Sequence, residues 1–356
     1  MHLEQDKLPT EYLKYTRKKV IFIALGIILI LLLLIISISV GAVNIPPIDV
    51  LNTLLGFSSS PQRETIIWNI RLPQALTGIV TGIGLAACGV ALQSILRNPL
   101  GEPYTLGISH AAAFGATFSV MVLGAGAVES AGADAVIINN PAITTICAFL
   151  FSMLATVGIL MISRIRGASP EVMILAGVAI SALFTSATMF LQYFASDVQL
   201  AAVVFWTFGD LSRADWGELG LITAITILIV GWFFTQVWNF NAIDAGDETA
   251  RSLGINVRRL RLIGMVAATL LAATTTALLG VIGFIGLIAP HITRRIIGDD
   301  NRFLLPGSCI VGAIVLLAAD CVARILIPPH VLPVAVLTSF LGAPVFIWLL
   351  VKGRHT

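Results

Sequence analysis

Residues 20–48 read VIFIALGIILILLLLIISISVGAVNIPPI and include no Asp, Glu, Lys or Arg. About 20 apolar residues in a helix can cross a lipid bilayer, because the helix satisfies its own backbone hydrogen bonds. The preceding Lys14, Arg17, Lys18 and Lys19 would also suit a secretion signal. The apolar part exceeds the roughly 7–15 residues of a signal core, however, and no clear cleavage site follows it. The stretch is therefore predicted to be a retained transmembrane helix.

Eight more stretches without these charged residues follow along the chain, at residues 72–96, 103–128, 135–163, 172–196, 219–243, 262–293, 303–319 and 325–351. The stretch 262–293 is too long for one ordinary span and contains Gly283, Gly286 and Pro290. It is therefore predicted to be a full helix followed by a short return helix. The expected fold is an all-α polytopic membrane protein with about ten transmembrane helices and a single transmembrane domain at residues 20–351.

The composition supports this class of protein. Hydrophobic residues make up 57% of the chain and charged residues 11%, against about 25% charged residues in a typical soluble domain. The net charge of +2 lacks the basicity of a nucleic-acid-binding protein, so no nucleic acid partner is expected. The four cysteines stand singly without a CxxC motif, which predicts neither a disulfide framework nor a zinc site.

Charge distribution predicts the orientation in the membrane. Ten crossings put both termini on one side, and of the 21 Lys and Arg residues only Arg63, Arg71, Arg213 and Arg324 then lie on the other. Cytoplasmic connections carry the excess of basic residues in membrane proteins. Both tails, 1–19 and 352–356, are therefore predicted to be cytoplasmic.

Small residues recur in the second predicted helix, for example Gly78, Gly82, Gly84 and Gly89. In lipid, small residues let helices approach closely and gain packing contacts. The pattern predicts a compact bundle.

The inner segment 238–259 could form a short helix between two long spans. Asp247 and Glu248 are acidic residues that favour a helix start, Arg251 would follow within the turn, and Gly254 would end the helix. Helix dipole and capping preferences require this order. The segment is either a solvated connector or a docking element for a soluble partner. The chain itself contains no GxxxxGK[ST] motif, so any ATP hydrolysis would belong to another subunit.

Several motifs resemble one transport family. They are RLP at 71–73, RNPLGEP at 97–103, GDE at 246–248, GFIGLIAPH at 283–291 and LGAPVF at 341–346. Together they resemble the permease subunit of type II ABC importers for iron-siderophore, haem or cobalamin, the BtuC and FecCD permeases. Such motifs extend in family order from about residue 65 to residue 350.

The resemblance implies docking residues at the outer face. Arg71 and Arg324 would engage acidic residues on a substrate-binding protein, and Arg324→Glu would then lower uptake while leaving the dimer assembled. The family arginine three residues after Arg71 is Gln74 here. Two simpler roles stay open, an interfacial anchor for Arg71 and an ion pair between Arg324 and Asp320 one helical turn earlier.

The resemblance also implies sites at the inner face. Asn98 and Leu100 would form a cytoplasmic gate opposite Ser169. A second set of residues would couple the permease to the ATPase, namely Gly246, Asp247, Glu248, Arg251 and Gly254. His291 has no partner at metal-ligand spacing, and its interpretation is structural.

These observations predict a permease subunit in the cell membrane that has no enzymatic site and no cofactor of its own. Its expected partners are a cytoplasmic ABC ATPase dimer that binds ATP and Mg, an extracytoplasmic binding protein, a second permease and membrane lipid. The expected cargo is a metal chelate, first a ferric siderophore, otherwise haem or cobalamin.

An ion-coupled secondary transporter would need ionisable residues inside the bundle, and only Asp320 qualifies. A membrane-embedded enzyme would need paired carboxylates or a metal cluster, and neither pattern is convincing.

Overall fold

The structure is a computed structural model, and it describes residues 10–41, 43–57, 60–125, 140–165, 169–327 and 330–352. Residues 1–9 and 353–356 of the predicted tails lie outside the described residues, whereas residues 10–19 belong to the first helix. The helices are α1 Thr10–Ser39, α2 Pro47–Leu54, α3 Pro61–Glu64, α4 Leu72–Ile95, α5 Ile108–Met121, α6 Pro141–Ile165, α7 Pro170–Tyr193, α8 Asp197–Thr207, α9 Trp216–Thr235, α10 Val237–Asp244, α11 Asp247–Ser252, α12 Val257–Leu279, α13 Ile285–Ile297, α14 Asn301–Ile325 and α15 Val334–Lys352.

Seven of the described helical segments are long and apolar enough to cross a membrane. They are Tyr15–Ser39, Pro61–Ile95, Pro141–Ile165, Pro170–Tyr193, Trp216–Thr235, Val257–Leu279 and Asn301–Ile325. Three shorter apolar helices accompany them, at Ile108–Met121, Asp197–Thr207 and Val334–Val345. Among the described residues the β-structure is limited to two isolated bridges. The predicted all-α membrane class is confirmed.

The helices differ in how far they enter the bundle. Within an apolar stretch of 18 residues in each span, the buried share is 78% for the span that contains α4, 72% for α14 and 67% for α12. The corresponding share for α1 and for α7 is only 17%. The structure therefore has a central group of α4, α12 and α14, with α1 and α7 at its edge.

Glycines let α4 touch its neighbours backbone to backbone. A Cβ atom built on Gly82 would lie 2.4 Å from the carbonyl oxygen of Gly312 in α14, and one on Gly89 would lie 1.9 Å from that of Gly286 in α13. Distances this short leave no room for any side chain. The close packing predicted from the glycine pattern is confirmed.

The stretch 262–293 divides as predicted into a long and a short helix, and of the three residues predicted to break it only Gly283 lies in the break. The helices are separated by residues 280–284, where Gly280 and Phe284 have φ angles of +82° and +68°. Gly286 and Pro290 lie inside α13. Pro290 cannot donate to the carbonyl of Gly286 one turn earlier, and that oxygen instead accepts a hydrogen bond from Gln93 Nε2 at 3.2 Å. This side chain makes the proline tolerable within the helix.

Helix α14 extends beyond the apolar stretch 303–319 to Ile325. Asp320 and Arg324 interrupt the apolar pattern, yet both lie within α14. The two side chains form an ion pair of 2.7 Å. Because the charges pair with each other, the helix continues through a position where either one alone would be costly.

Candidate coupling and gate site

The predicted short helix in the inner segment is present as α11. It begins at Asp247, with Glu248 in its first turn and Arg251 in its last turn. Gly246 before it and Gly254 after it have φ angles of +123° and +82°, a region that favours glycine. The glycines therefore allow the sharp turns that separate α11 from α10 and α12, and Gly254 ends the helix as the sequence predicted.

Asp247 is the centre of an ionic cluster. Its carboxylate accepts hydrogen bonds from both terminal nitrogens of Arg261, at 2.6 and 2.8 Å. Arg97 and Arg251 approach the same carboxylate at 3.9 and 3.8 Å. The hydrogen bonds from Arg261 are the main cause that lowers the pKa of Asp247, and they outweigh the opposing effect of burial. Asp247 is therefore held as an anion in α11.

Arg261 connects this cluster to the end of α4. Its side chain is only 3% exposed, and its Nε donates to the carbonyl oxygen of Ile95 at 2.8 Å. Ile95 is the last residue of α4. Because the guanidinium group is rigid and planar, it fixes the positions of α11, α12 and α4 relative to one another.

The predicted gate residues form tight turns beside this cluster. Asn98 Oδ1 accepts a hydrogen bond from the backbone N–H of Leu100 at 2.9 Å, and the preceding Arg97 has a φ of +46°. Ser169 caps α7 by accepting from the N–H of Val172 at 3.4 Å. The gate residues thus lie where α4 ends and where α7 begins.

One cavity of about 750 Å³ brings together much of the predicted inner site. Ser169 lines it, and so do Gly246, Asp247, Glu248 and Arg251. Asn98 and Leu100 are not among its lining residues, although Arg97 is. Gly254 lines a separate groove of about 510 Å³. Ser169 therefore lines the same cavity as four of the five coupling residues, whereas of the segment that contains Asn98 and Leu100 only the preceding Arg97 and Leu96 line it.

Helix α13 contacts both the end of α4 and the connection between α4 and α5. Arg294 donates two hydrogen bonds of 3.1 Å to Gln93 Oε1. His291 Nε2 lies 2.9 Å from the carbonyl oxygen of Pro99. This contact agrees with the structural interpretation of His291. Among the described residues there is no group of three His, Cys, Asp or Glu side chains that could hold a metal ion.

Glu102 is a buried carboxyl in the same connection. It is 2% exposed, and the backbone N–H groups of Phe284 and Leu287 at the start of α13 donate to it. Burial raises the pKa of the Glu102 carboxyl to about 8, against the smaller opposite effect of these hydrogen bonds. The side chain therefore caps α13 and carries a proton over part of the neutral pH range.

At the opposite end of the molecule, Arg71 and Arg324 both bind the carboxyl end of α1. Arg71 donates to the carbonyl oxygens of Ile38 and Ser39 at 2.7 and 3.1 Å, and Arg324 donates to that of Ser37 at 2.9 Å. The side chain of Arg324 is 7% exposed, and Arg71 is 6% exposed. These contacts satisfy carbonyl groups that a helix end leaves without partners.

The structure shows another use for these two arginines, which the resemblance predicted to engage a binding protein. Their guanidinium groups are already used as donors to α1. The simpler alternative for Arg324 is confirmed, because it forms the expected ion pair with Asp320. Gln74, which replaces a family arginine, donates to the other carboxylate oxygen of Asp320 at 2.9 Å. A direct docking role for Arg71 and Arg324 stays a prediction.

Reasoning from sequence missed two residues at this end of the bundle, Arg261 and Glu102. Arg261 was counted only as one of many inner basic residues, and Glu102 only as part of a motif. A basic residue close after a helix-breaking glycine was the available signal for Arg261, but its contact with Ile95 is 166 positions distant in sequence. No local pattern could have indicated that contact.

The bundle of long apolar helices, connected by polar segments, defines a multi-span membrane protein. The FecCD transport family matches residues 29–352, and the chain belongs to this family. The family consists of ABC transporter permease subunits, whose ATPase is a separate protein.

Known relatives span almost the whole chain. A protein of Methanocaldococcus jannaschii described as an ABC transporter permease is 50% identical over 97% of this chain and 98% of its own. The hemin transport system permease HmuU of Yersinia pestis is 36% identical over 89% of this chain and 93% of its own. The Fe(3+)-citrate import permease YfmE of Bacillus subtilis is 35% identical, over 88% and 89% of the two chains.

A solved structure shares the fold. An inward-facing metal-chelate type ABC transporter is 28% identical, with a TM-score of 0.79, and the match covers 93% of this chain and 98% of that chain. The match extends over nearly the full length of both chains. This agrees with the family assignment.

Proposed function

We propose that this chain is the permease subunit of an importer that moves a metal chelate, in the first instance a ferric siderophore, from a binding protein into the cytoplasm. Haem and cobalamin are the alternative cargoes. The named transport tasks of the relatives, hemin and Fe(3+)-citrate, support this class of cargo. An ABC ATPase dimer with bound ATP and Mg would supply the energy, and a second permease would complete the pathway.

The main support for the proposal is the series of contacts from Asp247 through Arg261 to Ile95. Helix α11 is the proposed surface that the ATPase engages. Its Asp247 is bound to Arg261, and Arg261 holds the last carbonyl of α4, three residues before Asn98. A displacement of α11 would therefore pull on α4 at the point where the proposed gate begins.

The proposed topology has ten crossings with both termini inside. It consists of the seven long spans together with α5, α13 and α15 and leaves α8 as an outer element. In this arrangement the coupling segment at 238–259 and the gate lie on the cytoplasmic side. Arg71 and Arg324 then lie outside, where they would support binding-protein docking through the end of α1 that they hold.

Accessibility of engineered cysteines tests the orientation. In a variant without the four native cysteines, Ser252→Cys on α11 is expected to react with a membrane-impermeant maleimide only after the cells are permeabilised. Gln62→Cys, an exposed residue of the opposite end, is expected to react in intact cells. Labelling of Ser252→Cys from outside would overturn the topology.

Reconstituted transport tests the function. The permease is placed in proteoliposomes with the ATPase and binding protein encoded by neighbouring genes, and uptake of ferric siderophore, haem and cobalamin is measured. ATP-dependent uptake of one chelate is expected, with none when the ATPase is omitted. Uptake by the permease alone under an ion gradient would instead identify a secondary transporter.

A further inference from the structure

A groove lies between α6 and α12 at one end of both spans. Its volume is about 440 Å³, and its lining residues are Val157, Leu160, Met161, Arg164, Arg258 and Leu262. The α6 residues follow helical spacing and so share one face of that helix. The groove therefore runs along the two helices, with an apolar wall and two arginines at its end.

The apolar wall is open to the surroundings of the bundle. Val157 is 43% exposed and Met161 is 63% exposed. Both belong to a candidate span, so acyl chains rather than water surround them in a bilayer. The wall can accommodate a hydrocarbon chain that lies parallel to the helices.

The two arginines carry positive charge that the described part of the chain does not neutralise. Arg164 lies in the last turn of α6, and Arg258 is the second residue of α12. Neither forms an ion pair or hydrogen bond with a described residue. The first turn of α12 contains no acidic residue, although basic groups at a helix start are opposed by the helix dipole. An anion at this position would relieve that repulsion.

We propose that this groove binds one anionic phospholipid, with its phosphate at Arg164 and Arg258 and an acyl chain along Val157, Met161 and Leu262. Guanidinium groups pair with phosphate oxygens through two parallel hydrogen bonds. The arginines stand at the ends of two spans, which is the depth of a headgroup. The lipid would fix the end of α6 against the start of α12, next to α11.

Native mass spectrometry of the full chain tests the proposal. The protein is released from nanodiscs of phosphatidylcholine that contain a minor fraction of phosphatidylglycerol, and the bound lipid is identified. Wild-type protein is expected to retain phosphatidylglycerol in preference to phosphatidylcholine. The double variant R164Q/R258Q is expected to bind it about thirtyfold more weakly, which corresponds to roughly 1 kcal/mol for each arginine.

Two further variants make the test specific. R17Q/K18Q removes the same charge from exposed positions of α1, and it is expected to retain the lipid like wild type. Met161→Trp fills the groove, keeps both arginines and is expected to lose the lipid. The proposal is overturned if R17Q/K18Q weakens retention as much as R164Q/R258Q, if Met161→Trp retains the lipid, or if the wild type shows no preference for phosphatidylglycerol.

Discussion

Asp247 of α11 and Arg261 of α12 are joined by two hydrogen bonds of 2.6 and 2.8 Å, and the third guanidinium nitrogen of Arg261 holds the final carbonyl of α4. A single buried side chain thus links three helices at one end of the bundle. The same carboxylate lies within 3.9 Å of Arg97, the residue before Asn98. The proposed coupling surface and the proposed gate share this one ionic cluster.

Asp247→Asn is expected to destabilise the protein and to lower uptake. It leaves the buried Arg261 without its anionic partner, at a cost of about 3 kcal/mol in the free energy of unfolding. Thermal unfolding in detergent and ATP-dependent uptake in proteoliposomes measure the two effects. Glu248→Gln removes the same charge one residue later, from an exposed side chain, and should change the free energy of unfolding by less than about 0.5 kcal/mol. Equal destabilisation by both variants would contradict the importance of the ion pair.

Arg324→Gln is expected to lower the free energy of unfolding by about 3 kcal/mol, because Asp320 then keeps a buried charge without its ion-pair partner. The double variant D320N/R324Q removes both charges and should be more stable than R324Q alone. Chemical unfolding of the single and double variants gives the coupling energy. Additive losses would show that the two side chains do not stabilise each other.

Arg324→Glu is therefore a poor test of binding-protein docking. It would place a second carboxylate beside Asp320 and would remove the donors to Ser37. Reduced uptake in that variant is expected from loss of folded protein alone. Binding-protein affinity of Arg324→Lys, which keeps the charge, separates docking from stability.

The stability of the protein is expected to fall as pH rises from about 4.5 to about 8. In the folded state the pKa of Glu102 is about 8, whereas its ordinary value is 4.5. Over this interval the folded state retains a proton that the unfolded state has lost, so each rise in pH favours unfolding. Melting temperatures of wild type and Glu102→Gln across this range measure the effect. The glutamine variant imitates the protonated carboxyl and should show a flatter dependence; an unchanged slope would exclude Glu102 as the cause.

Gly89→Ala is expected to disrupt the contact between α4 and α13. Its Cβ atom would lie 1.9 Å from the Gly286 carbonyl oxygen, and backbone at this position cannot move without separating the helices. A loss of about 3 kcal/mol or more in the free energy of unfolding follows. Gly231→Ala on α9 is the control, because no atom lies within 4 Å of the added Cβ. It should alter stability by no more than about 1 kcal/mol.

The sequence by itself determined the class of fold and the position of the coupling helix. Long apolar stretches such as residues 20–48 must form helices in lipid, since no other local structure satisfies their backbone. Asp247 and Glu248 between two glycines likewise specify a short helix by local capping and dipole effects. These signals act within a few residues, so they can be read directly.

Tertiary structure alone decided which polar groups meet. Arg71 and Arg324 are far apart in sequence yet bind the same end of α1, and Arg261 reaches Ile95 from another helix. The proline within α13 depends on Gln93 of α4, and the break after α12 is bonded to Phe208 and Asp210. In a bilayer almost any apolar face can be buried, so hydropathy does not specify neighbours. The backbone contacts at glycine and the few buried hydrogen bonds select them.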